Sequence, residues 1–241
     1  MIEARRLHKR FGKVTALEEV SFVAADGRIT GLLGPNGAGK STTLRILYTI
    51  LKPDGGEAFV DGELAERDDP AVRARLGVLP HSAGVYGSLT VRENVEYFGR
   101  LAGLSRSQAR GRASELIQLL ELEDIADRRT KGFSQGQRLK TALARALVHA
   151  PRNIILDEPT NGLDVPSVRK LRALLVKLRS VGHCILFSSH VMQEVATLCD
   201  EVVVIAGGRV VAAGTPEQLR EQAGVSDFED AFMKLTGEDA G

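Results

Sequence analysis

Five short apolar runs, each bounded by turn-forming residues, dominate the hydrophobic pattern of the chain. Runs that are apolar at nearly every position, and this short, are typical of strands buried on both faces of a sheet. The pattern therefore predicts a set of buried strands. They cover residues 29–33, 75–79, 153–156, 183–188 and 201–205.

Helical patterns lie between several of these strands. In the clearest one, apolar residues recur at steps of three and four from Val168 to Val181, after Pro166 and before Gly182. Proline suits the first turn of a helix, and glycine commonly follows the last turn. Strands that alternate with helices favour an α/β fold, with a mostly parallel sheet covered on both faces.

The middle of the chain, roughly residues 84–150, shows one helical pattern after another. Thr90 and Glu93 have the spacing of a capping box, which marks the start of a helix. A helical pattern also runs through 114–122. We therefore expect an α/β core interrupted by a helical lobe, followed by an acidic tail with a short helix at 228–235.

Composition narrows the class of protein. The chain has 241 residues, 43% hydrophobic and 26% charged, with a net charge of +1, which excludes a disordered chain. The near-equal numbers of positive and negative side chains also argue against a dedicated nucleic-acid binder, which usually carries an excess of positive charge. Because no stretch of about 18 apolar residues occurs, any role at a membrane is expected to need a membrane-embedded partner. Cys184 and Cys199 match no zinc or redox spacing and are expected to be reduced core thiols.

One segment fits the phosphate-binding pattern G-x-x-x-x-G-K-[ST]. Its glycines let backbone N–H groups converge on phosphate oxygens, its lysine faces the β and γ phosphates, and its hydroxyl can ligate Mg²⁺. A predicted strand precedes the pattern and a helical pattern through 44–51 follows it, which is the expected context. The sequence thus predicts a nucleotide-binding loop. It consists of Gly34, Pro35, Asn36, Gly37, Ala38, Gly39, Lys40 and Ser41.

Two carboxylates, Asp157 and Glu158, end the predicted strand that begins at Asn153. A strand tip beside a phosphate loop is where a further Mg²⁺ contact is expected, and Asp157 suits that role. Glu158 is expected to point to the other face of the strand and to polarise a water aimed at the γ-phosphate. His190 follows the next predicted strand and should lie near the same crevice, because parallel strands end at one edge.

Together these motifs resemble the ATP-binding subunits of ABC transporters over essentially the whole chain. Residues 133–137 read Phe-Ser-Gln-Gly-Gln and resemble that family's signature, usually L-S-G-G-Q. Ser134 and Gln137 also fit a capping box, and the two interpretations are compatible because a helix N-terminus binds anions. Phe133 replaces a leucine, and Gln135 replaces a glycine and adds bulk where backbone would meet nucleotide.

The resemblance implies a P-loop NTPase fold. This is an α/β architecture with a RecA-like, mostly parallel sheet, an inserted helical subdomain and a small antiparallel β portion near the N-terminus. It also implies a single ATP-binding domain over residues 1–241. We expect its core at about 1–83 and 151–214, its helical subdomain at about 84–150, and a short tail at about 215–241.

Roles for individual residues also follow from the resemblance. Glu158 is then a catalytic residue, and His190 holds the γ-phosphate and the attacking water, while Ser41 and Asp157 hold Mg²⁺. The signature grips the γ-phosphate of ATP bound to a second subunit, and residues 161–164 form a loop that contacts that subunit. Phe11 stands where a ring stacks on adenine, although a buried core phenylalanine is the alternative. Besides the phosphate loop, the implied ATP-binding residues are Phe11, Thr42, Ser134, Gly136, Gln137 and Asp164.

His81 is the clearest departure from the family pattern. The family normally has glutamine at this strand end, where it touches Mg²⁺ or the water and signals to the membrane subunit. Imidazole is not the hard oxygen ligand that Mg²⁺ prefers. We therefore expect His81 to serve coupling to the membrane subunit more than metal binding.

Several stretches narrow the resemblance to NatA-type subunits of sodium-extrusion transporters; they cover 76–86, 89–94, 97–101, 187–195 and 232–237. This kinship implies an ATP- and Mg²⁺-dependent ATPase that works as a homodimer or with a paired ATPase subunit. It would bind an integral-membrane permease at the cytoplasmic face of the inner membrane, with no nucleic acid as partner.

Other functions remain open at this point. The chain could serve a multidrug or lipid exporter instead of a sodium exporter. A soluble regulatory or DNA-repair ATPase usually needs a long coiled coil or a second ATPase half, and neither is visible here. A degraded module that binds nucleotide without hydrolysis is suggested by His81 and Gln135. The presence of four residues argues against it: Lys40, Asp157, Glu158 and His190.

Overall fold

A computed structural model of the chain describes residues 1–82 and 84–237. Ala83, in the stretch that carries the NatA-type resemblance, and residues 238–241 of the predicted tail lie outside the described residues. The described strands fall into two sheets. They are β1 (Ile2–Phe11), β2 (Val14–Ala24), β3 (Ile29–Leu33), β4 (Gly55–Val60), β5 (Glu63–Leu64), β6 (Leu76–Leu79), β7 (Asn153–Asp157), β8 (Cys184–Ser189), β9 (Glu201–Ala206) and β10 (Arg209–Gly214).

The central sheet has six strands in the order β10-β9-β3-β8-β7-β6. Its neighbours from β9 to β6 pair in parallel, and β10 pairs antiparallel with β9 at one edge. Every residue of β3, β7 and β8 is buried, which explains why these segments are nearly continuous apolar runs. The mostly parallel sheet is confirmed, and each of the five predicted strands is present with its ends shifted by at most one residue.

A four-stranded antiparallel sheet near the N-terminus has the order β2-β1-β4-β5, as the resemblance implied. The hydrophobic pattern does not predict β1 or β2. The register between these strands shifts several times, first between Ala4 and Leu7, where Arg6 has a positive φ. Such bulges interrupt the alternation of inward and outward side chains by which a strand is recognised.

The helices supply the outer layers. They are α1 (Lys40–Leu47), α2 (Pro70–Arg73), α3 (Val91–Leu101), α4 (Arg106–Leu119), α5 (Gln135–Leu147), α6 (Val165–Ser180), α7 (Met192–Leu198), α8 (Pro216–Ala223) and α9 (Phe228–Thr236), with a short 3₁₀ helix at Glu123–Ile125. The helical middle of the chain and the C-terminal helix are as predicted. The capping boxes at Thr90 and Ser134 are both present.

Two helical patterns extend too far in the prediction. The helix expected through 114–122 ends at Leu119, and Glu121 then adopts a positive φ. The pattern through 44–51 likewise ends at Leu47, with Thr49 at a φ of +66°. Beyond these ends, Tyr48, Leu120 and Leu122 are buried by the turns, so they keep a helical spacing without belonging to a helix.

The central sheet separates two apolar clusters, and alternate residues of one strand belong to different clusters. In β7, Ile154 and Leu156 pack with the helical lobe and α6, whereas Ile155 packs with α1 and the antiparallel sheet. Successive side chains of a strand point to opposite faces, so the sheet is covered on both sides. The sheet thus has the two-sided α/β layering that the resemblance implied.

The two cysteines lie on opposite sides of the sheet, and both are buried free thiols, as expected. Burial raises the pKa of Cys184 to about 11 and that of Cys199 further, so neither is a reactive thiolate at neutral pH. Among the described residues, no helix combines the length and the apolar character needed to cross a bilayer.

Asn94 anchors the turn before α3 to the helical lobe. It is fully buried; its side chain accepts from Tyr86 N–H at 3.0 Å and donates to the carbonyls of Tyr86, Leu89 and Thr90. Removing the amide leaves the Tyr86 N–H without its partner, which costs about 1–3 kcal/mol, and takes one hydrogen bond from each of the three carbonyls, which keep other donors. We expect Asn94→Ala to lower the free energy of unfolding by at least about 2 kcal/mol, measured by urea denaturation.

Gln118→Ala on the exposed face of α4 is the control and should leave the free energy of unfolding within about 0.5 kcal/mol of the original. Equal stability of the Asn94→Ala and Gln118→Ala proteins would show that the buried amide does not hold this turn.

Candidate functional site

The predicted phosphate loop connects β3 to α1 and lies at the carboxyl edge of the central sheet. Gly39 precedes the helix with a φ of +109°, and a Cβ there would lie 2.7 Å from Leu17 Cδ2 and 2.8 Å from the Ala16 carbonyl. Only glycine fits this close approach to β2. No side chain caps the first turn of α1, so its backbone N–H groups and dipole are available to an anion.

Lys40 lies at the start of α1 with a side chain that is 6% exposed. Its ammonium donates to the carbonyls of Gly34 at 2.6 Å and Pro35 at 3.1 Å, and lies 3.6 Å from Glu158 Oε1. Burial lowers the pKa of the Lys40 ammonium, and the Glu158 carboxylate offsets part of this effect. The loop thus holds a positive charge on its inner side, close to the acid pair.

Asp157 is the last residue of β7 and is buried beside the phosphate loop. Its Oδ1 accepts from Ser41 Oγ at 3.2 Å and from Ser188 Oγ at 2.7 Å. The strand register predicts the second contact, because Asp157 and Ser188 are paired residues of β7 and β8. A hydroxyl and a carboxylate, both hard oxygen donors, therefore meet where the loop enters α1.

Glu158 does not point to the opposite face from Asp157, and the expectation that it would is wrong. The strand ends at Asp157, and Glu158 adopts a φ of +53°, so strand alternation no longer applies. Its side chain is 9% exposed and turns toward Lys40, and its Oε2 lies 2.7 Å from His190 Nδ1. Both carboxylates therefore face the crevice beside α1.

His190 follows β8 and lies at the crevice, where the parallel topology predicts it. Its side chain is 46% exposed, and its hydrogen bond to Glu158 fixes the ring at Nδ1. The structure thus brings together Lys40, Ser41, Asp157, Glu158 and His190. This group can bind a polyanion and hold a carboxylate beside an imidazole, an arrangement suited to moving a proton.

Three further residues hold the site, and the sequence motifs do not predict them. The Glu158 backbone N–H donates to Ser188 Oγ at 3.0 Å. Thr160 Oγ donates to the buried Glu194 of α7 at 2.6 Å, which fixes the loop after β7. The pairing of β7 with β8 is a signal for Ser188, whereas the sequence carries no local signal for the Thr160–Glu194 pair.

The signature-like segment lies at the start of α5, on the helical lobe. Ser134 accepts from Gln137 N–H at 3.3 Å, and Gln137 Oε1 accepts from Ser134 N–H at 3.1 Å. Neither of these bonds reaches the phosphate loop of the same chain. Phe133 is buried, so its replacement of leucine is a core substitution. Gln135 is exposed and donates to the carbonyl of Asn161 at 2.7 Å.

A cleft of about 610 Å³ separates this segment from the acid pair; its lining includes Gln135, Glu158 and His81. The side chain of His81 is exposed, so the end of β6 opens into solvent at this cleft. The imidazole therefore lies at the boundary between the core and the helical lobe.

Phe11 and Asp164 take no part in the contacts that join the group around Lys40. Phe11 is 49% exposed at the end of β1, which excludes the alternative of a buried core residue, and Lys9 Nζ lies 5.7 Å from its ring centroid. Asp164 caps α6 by accepting from Ser167 N–H at 3.0 Å. Within residues 1–82 and 84–237, no three His, Cys, Asp or Glu side chains form a cluster that could hold a metal ion.

Comparisons with known proteins agree with this geometry. The family model for ABC transporters matches residues 17–161. The chain is 41% identical over 231 residues to the ABC transporter ATP-binding protein NatA of Bacillus subtilis (strain 168), covering 95% of this chain and 94% of that protein. It is 42% identical over 223 residues to the Nod factor export ATP-binding protein I of Paraburkholderia xenovorans (strain LB400), covering 90% and 72% respectively.

A solved structure extends the comparison to the fold. The chain is similar, with a TM-score of 0.81 and 28% identity, to a dimeric ATP-binding cassette in a post-hydrolysis state bound to ADP and phosphate; the match covers 89% of this chain and 98% of that one. The sequence matches to the two relatives and the structural match each cover at least 89% of this chain. The chain therefore belongs to the ATP-binding subunits of ABC transporters, and it is an ATPase coupled to transport.

Proposed function

We propose that this subunit hydrolyses ATP at the carboxyl edge of its central sheet, with Glu158 as the general base. The observation that carries the proposal is the position of the Glu158 carboxylate, 2.7 Å from His190 Nδ1 and 3.6 Å from Lys40 Nζ. A carboxylate held between an imidazole and the phosphate-loop lysine is suited to accept a proton from a water beside the γ-phosphate.

The phosphates would bind to the uncapped N-terminus of α1, with Lys40 exchanging its carbonyl partners for β and γ phosphate oxygens. Thr42, in the first turn of α1, would add a contact to this end of the helix. Phe11, exposed at the end of β1, would offer its ring to the adenine.

The residues present fit Mg²⁺. Ser41 Oγ and Asp157 Oδ1 lie 3.2 Å apart, and both are the hard oxygen donors that this ion prefers. A site with few protein ligands is expected, because Mg²⁺ commonly takes its other ligands from phosphates and water. Bound there, the ion would neutralise charge on the β and γ phosphates.

The nucleotide would be shared between two ATPase subunits. Ser134 and Gly136 at the start of α5 would contact the ATP bound to the second subunit, and the loop 161–164 would contact that subunit itself. The dimeric cassette to which this chain is similar supports such a pairing. Because ATP would link the subunits only while its γ-phosphate is present, nucleotide state would set the distance between them.

We expect Glu158→Gln to leave ATP binding within about twofold, since the amide keeps the size of the carboxylate, and to slow hydrolysis about a hundredfold or more. The ATP-bound variant should accumulate as a dimer. Phosphate release, equilibrium binding of labelled ATP and sedimentation measure the three effects.

Lys40→Ala is the contrasting variant and should weaken ATP binding itself by about tenfold or more, because it removes a charge-assisted phosphate contact. A Glu158→Gln protein that released phosphate at the original rate would exclude Glu158 from proton transfer.

His81 would couple the nucleotide site to the membrane subunit. We expect His81→Ala to bind ATP with Mg²⁺ within about twofold of the original, as for other exposed substitutions, while losing stimulation of the ATPase by the membrane subunit. His81→Gln, which restores the usual family residue, should keep both properties. Loss of Mg²⁺-dependent ATP binding in His81→Ala would instead assign the imidazole to the metal site.

We propose sodium extrusion as the transport process, because several segments resemble NatA-type subunits of sodium-extrusion transporters and the chain is similar to the NatA protein of Bacillus subtilis. The permease would hold the ATPase subunits, as a homodimer or a pair of different ATPases, at the cytoplasmic face of the inner membrane. Export of a lipid or a drug is the second candidate, and the similarity to a Nod factor export protein supports a role in export.

Vesicles that contain the copurified membrane subunit and this chain test the substrate. We expect ATP-dependent movement of ²²Na⁺ that is abolished by Glu158→Gln in the same preparation. Transport of a fluorescent drug or lipid without any sodium movement would reject sodium extrusion and favour the second candidate.

A further inference from the structure

Gln135 forms a contact that the usual family residue at this position, glycine, lacks the side chain to make. Its Nε2 donates to the carbonyl oxygen of Asn161 at 2.7 Å, across 26 residues of sequence. The contact joins the first residue of α5, on the helical lobe, to the loop that follows the acid pair. One side chain therefore connects two segments that belong to different layers of the molecule.

The loop is shaped to receive this amide. Gly162 has a φ of +70°, and a Cβ there would lie 2.5 Å from Gln135 Nε2, 2.6 Å from Oε1 and 2.7 Å from Cδ. The amide group therefore occupies the space that a Cβ at Gly162 would take, so a side chain there would displace the amide from its place against the loop. Glycine also adopts the positive φ without strain.

The same loop fixes the backbone of Glu158. Asn161 N–H donates to the Glu158 carbonyl at 3.2 Å, closing a turn over residues 158–161. The Asn161 peptide groups thus bind Glu158 on one side and Gln135 on the other. Glu158 has a φ of +53°, a conformation that a residue with a side chain holds only when its surroundings fix it.

We propose that Gln135 is a positioning residue that holds the 158–164 loop against the start of α5, so that the turn carrying Glu158 moves together with the signature-like segment. The proposal rests on the proposed function, in which that segment contacts ATP of the second subunit. ATP bound to the second subunit would contact the signature-like segment, and Gln135 would pass this contact on to the turn that carries Glu158. Binding at one nucleotide site would thereby affect the catalytic base of the other site.

We expect the hydrogen bond between Gln135 and Asn161 to be stronger in the dimer than in the single chain. Gln135, Asn161 and Gly162 are exposed in the single chain, where water competes for the amide. In the proposed dimer the second subunit would cover this face and exclude that water. The bond should therefore matter more for turnover of the dimer than for stability of the single chain.

Gln135→Met tests the donor, because methionine keeps the length of the side chain and cannot donate. In the full-length chain we expect kcat for ATP to fall about threefold to tenfold, the range for loss of one hydrogen bond, while KM changes less than about twofold. The Hill coefficient for ATP should fall toward one.

Gln118→Met, on the exposed face of α4, is the matched control and should leave all three quantities unchanged. Unchanged kcat and Hill coefficient in an active Gln135→Met protein would overturn the proposal. A rise in the KM for ATP with an unchanged kcat would also overturn the proposal, because that result would assign Gln135 to nucleotide binding alone.

A double-mutant cycle tests the contact without nucleotide. Gly162→Ala should lower the midpoint of urea unfolding in the original chain and lower it by less in the Gln135→Ala background, where the colliding amide is gone. Additive shifts in the midpoint would show that Gln135 is not held against Gly162 and would overturn the proposal.

The two experiments separate this proposal from the proposed function. If the original chain hydrolyses no ATP at any concentration, the proposed function fails, while the stability cycle still decides whether the contact exists. If the original chain is active and Gln135→Met matches it, the proposed function stands and the role of Gln135 is rejected.

Discussion

The site depends on one buried hydroxyl, that of Ser188, which joins the ends of two strands. It donates to Asp157 Oδ1 at 2.7 Å and accepts the Glu158 N–H at 3.0 Å. The first bond orients the Asp157 carboxylate toward Ser41. The second gives a partner to the backbone N–H of Glu158, the first residue after the end of β7. Because Ser188 is itself fixed by the parallel pairing of β7 and β8, the sheet sets the position of Asp157 and anchors the backbone N–H of Glu158.

The helices around this edge of the sheet differ in whether a side chain caps their first turn. The first turns of α3, α5 and α6 are closed by Thr90, Ser134 and Asp164, which makes these helices firm supports. The first turn of α1 has no such side chain, although it lies closest to the acids. The fold thus leaves uncapped the helix end at which a bound anion would complete the structure.

The sequence predicts those parts of the molecule that local patterns determine. The run before Gly34, the glycine loop and the acid pair at the end of β7 were each recognisable. Burial on both faces demands apolar strands, and phosphate binding demands glycine and lysine. Parallel topology then placed His190 correctly. The conformation of Glu158 was not predictable, because its positive φ results from contacts with Ser188 and Asn161 that are distant in sequence or belong to a turn without a glycine signal.

Side-chain contacts between residues distant in the sequence could not be predicted either. The Gln135–Asn161 and Thr160–Glu194 hydrogen bonds depend on how the helical lobe and α7 meet the loop after β7. The departure of Gln135 from the family pattern was visible as added bulk, but the direction of its amide was not.

Lys40 also has a consequence for the cycle of binding and release. Its ammonium bonds to the carbonyls of Gly34 and Pro35, two residues of the loop to which it belongs. These bonds keep neighbouring peptide oxygens from repelling one another and give the glycine-rich segment a defined shape before any ligand arrives. An incoming nucleotide would then meet an ordered loop and lose less affinity to ordering it, and after product release the lysine would return to the same two oxygens.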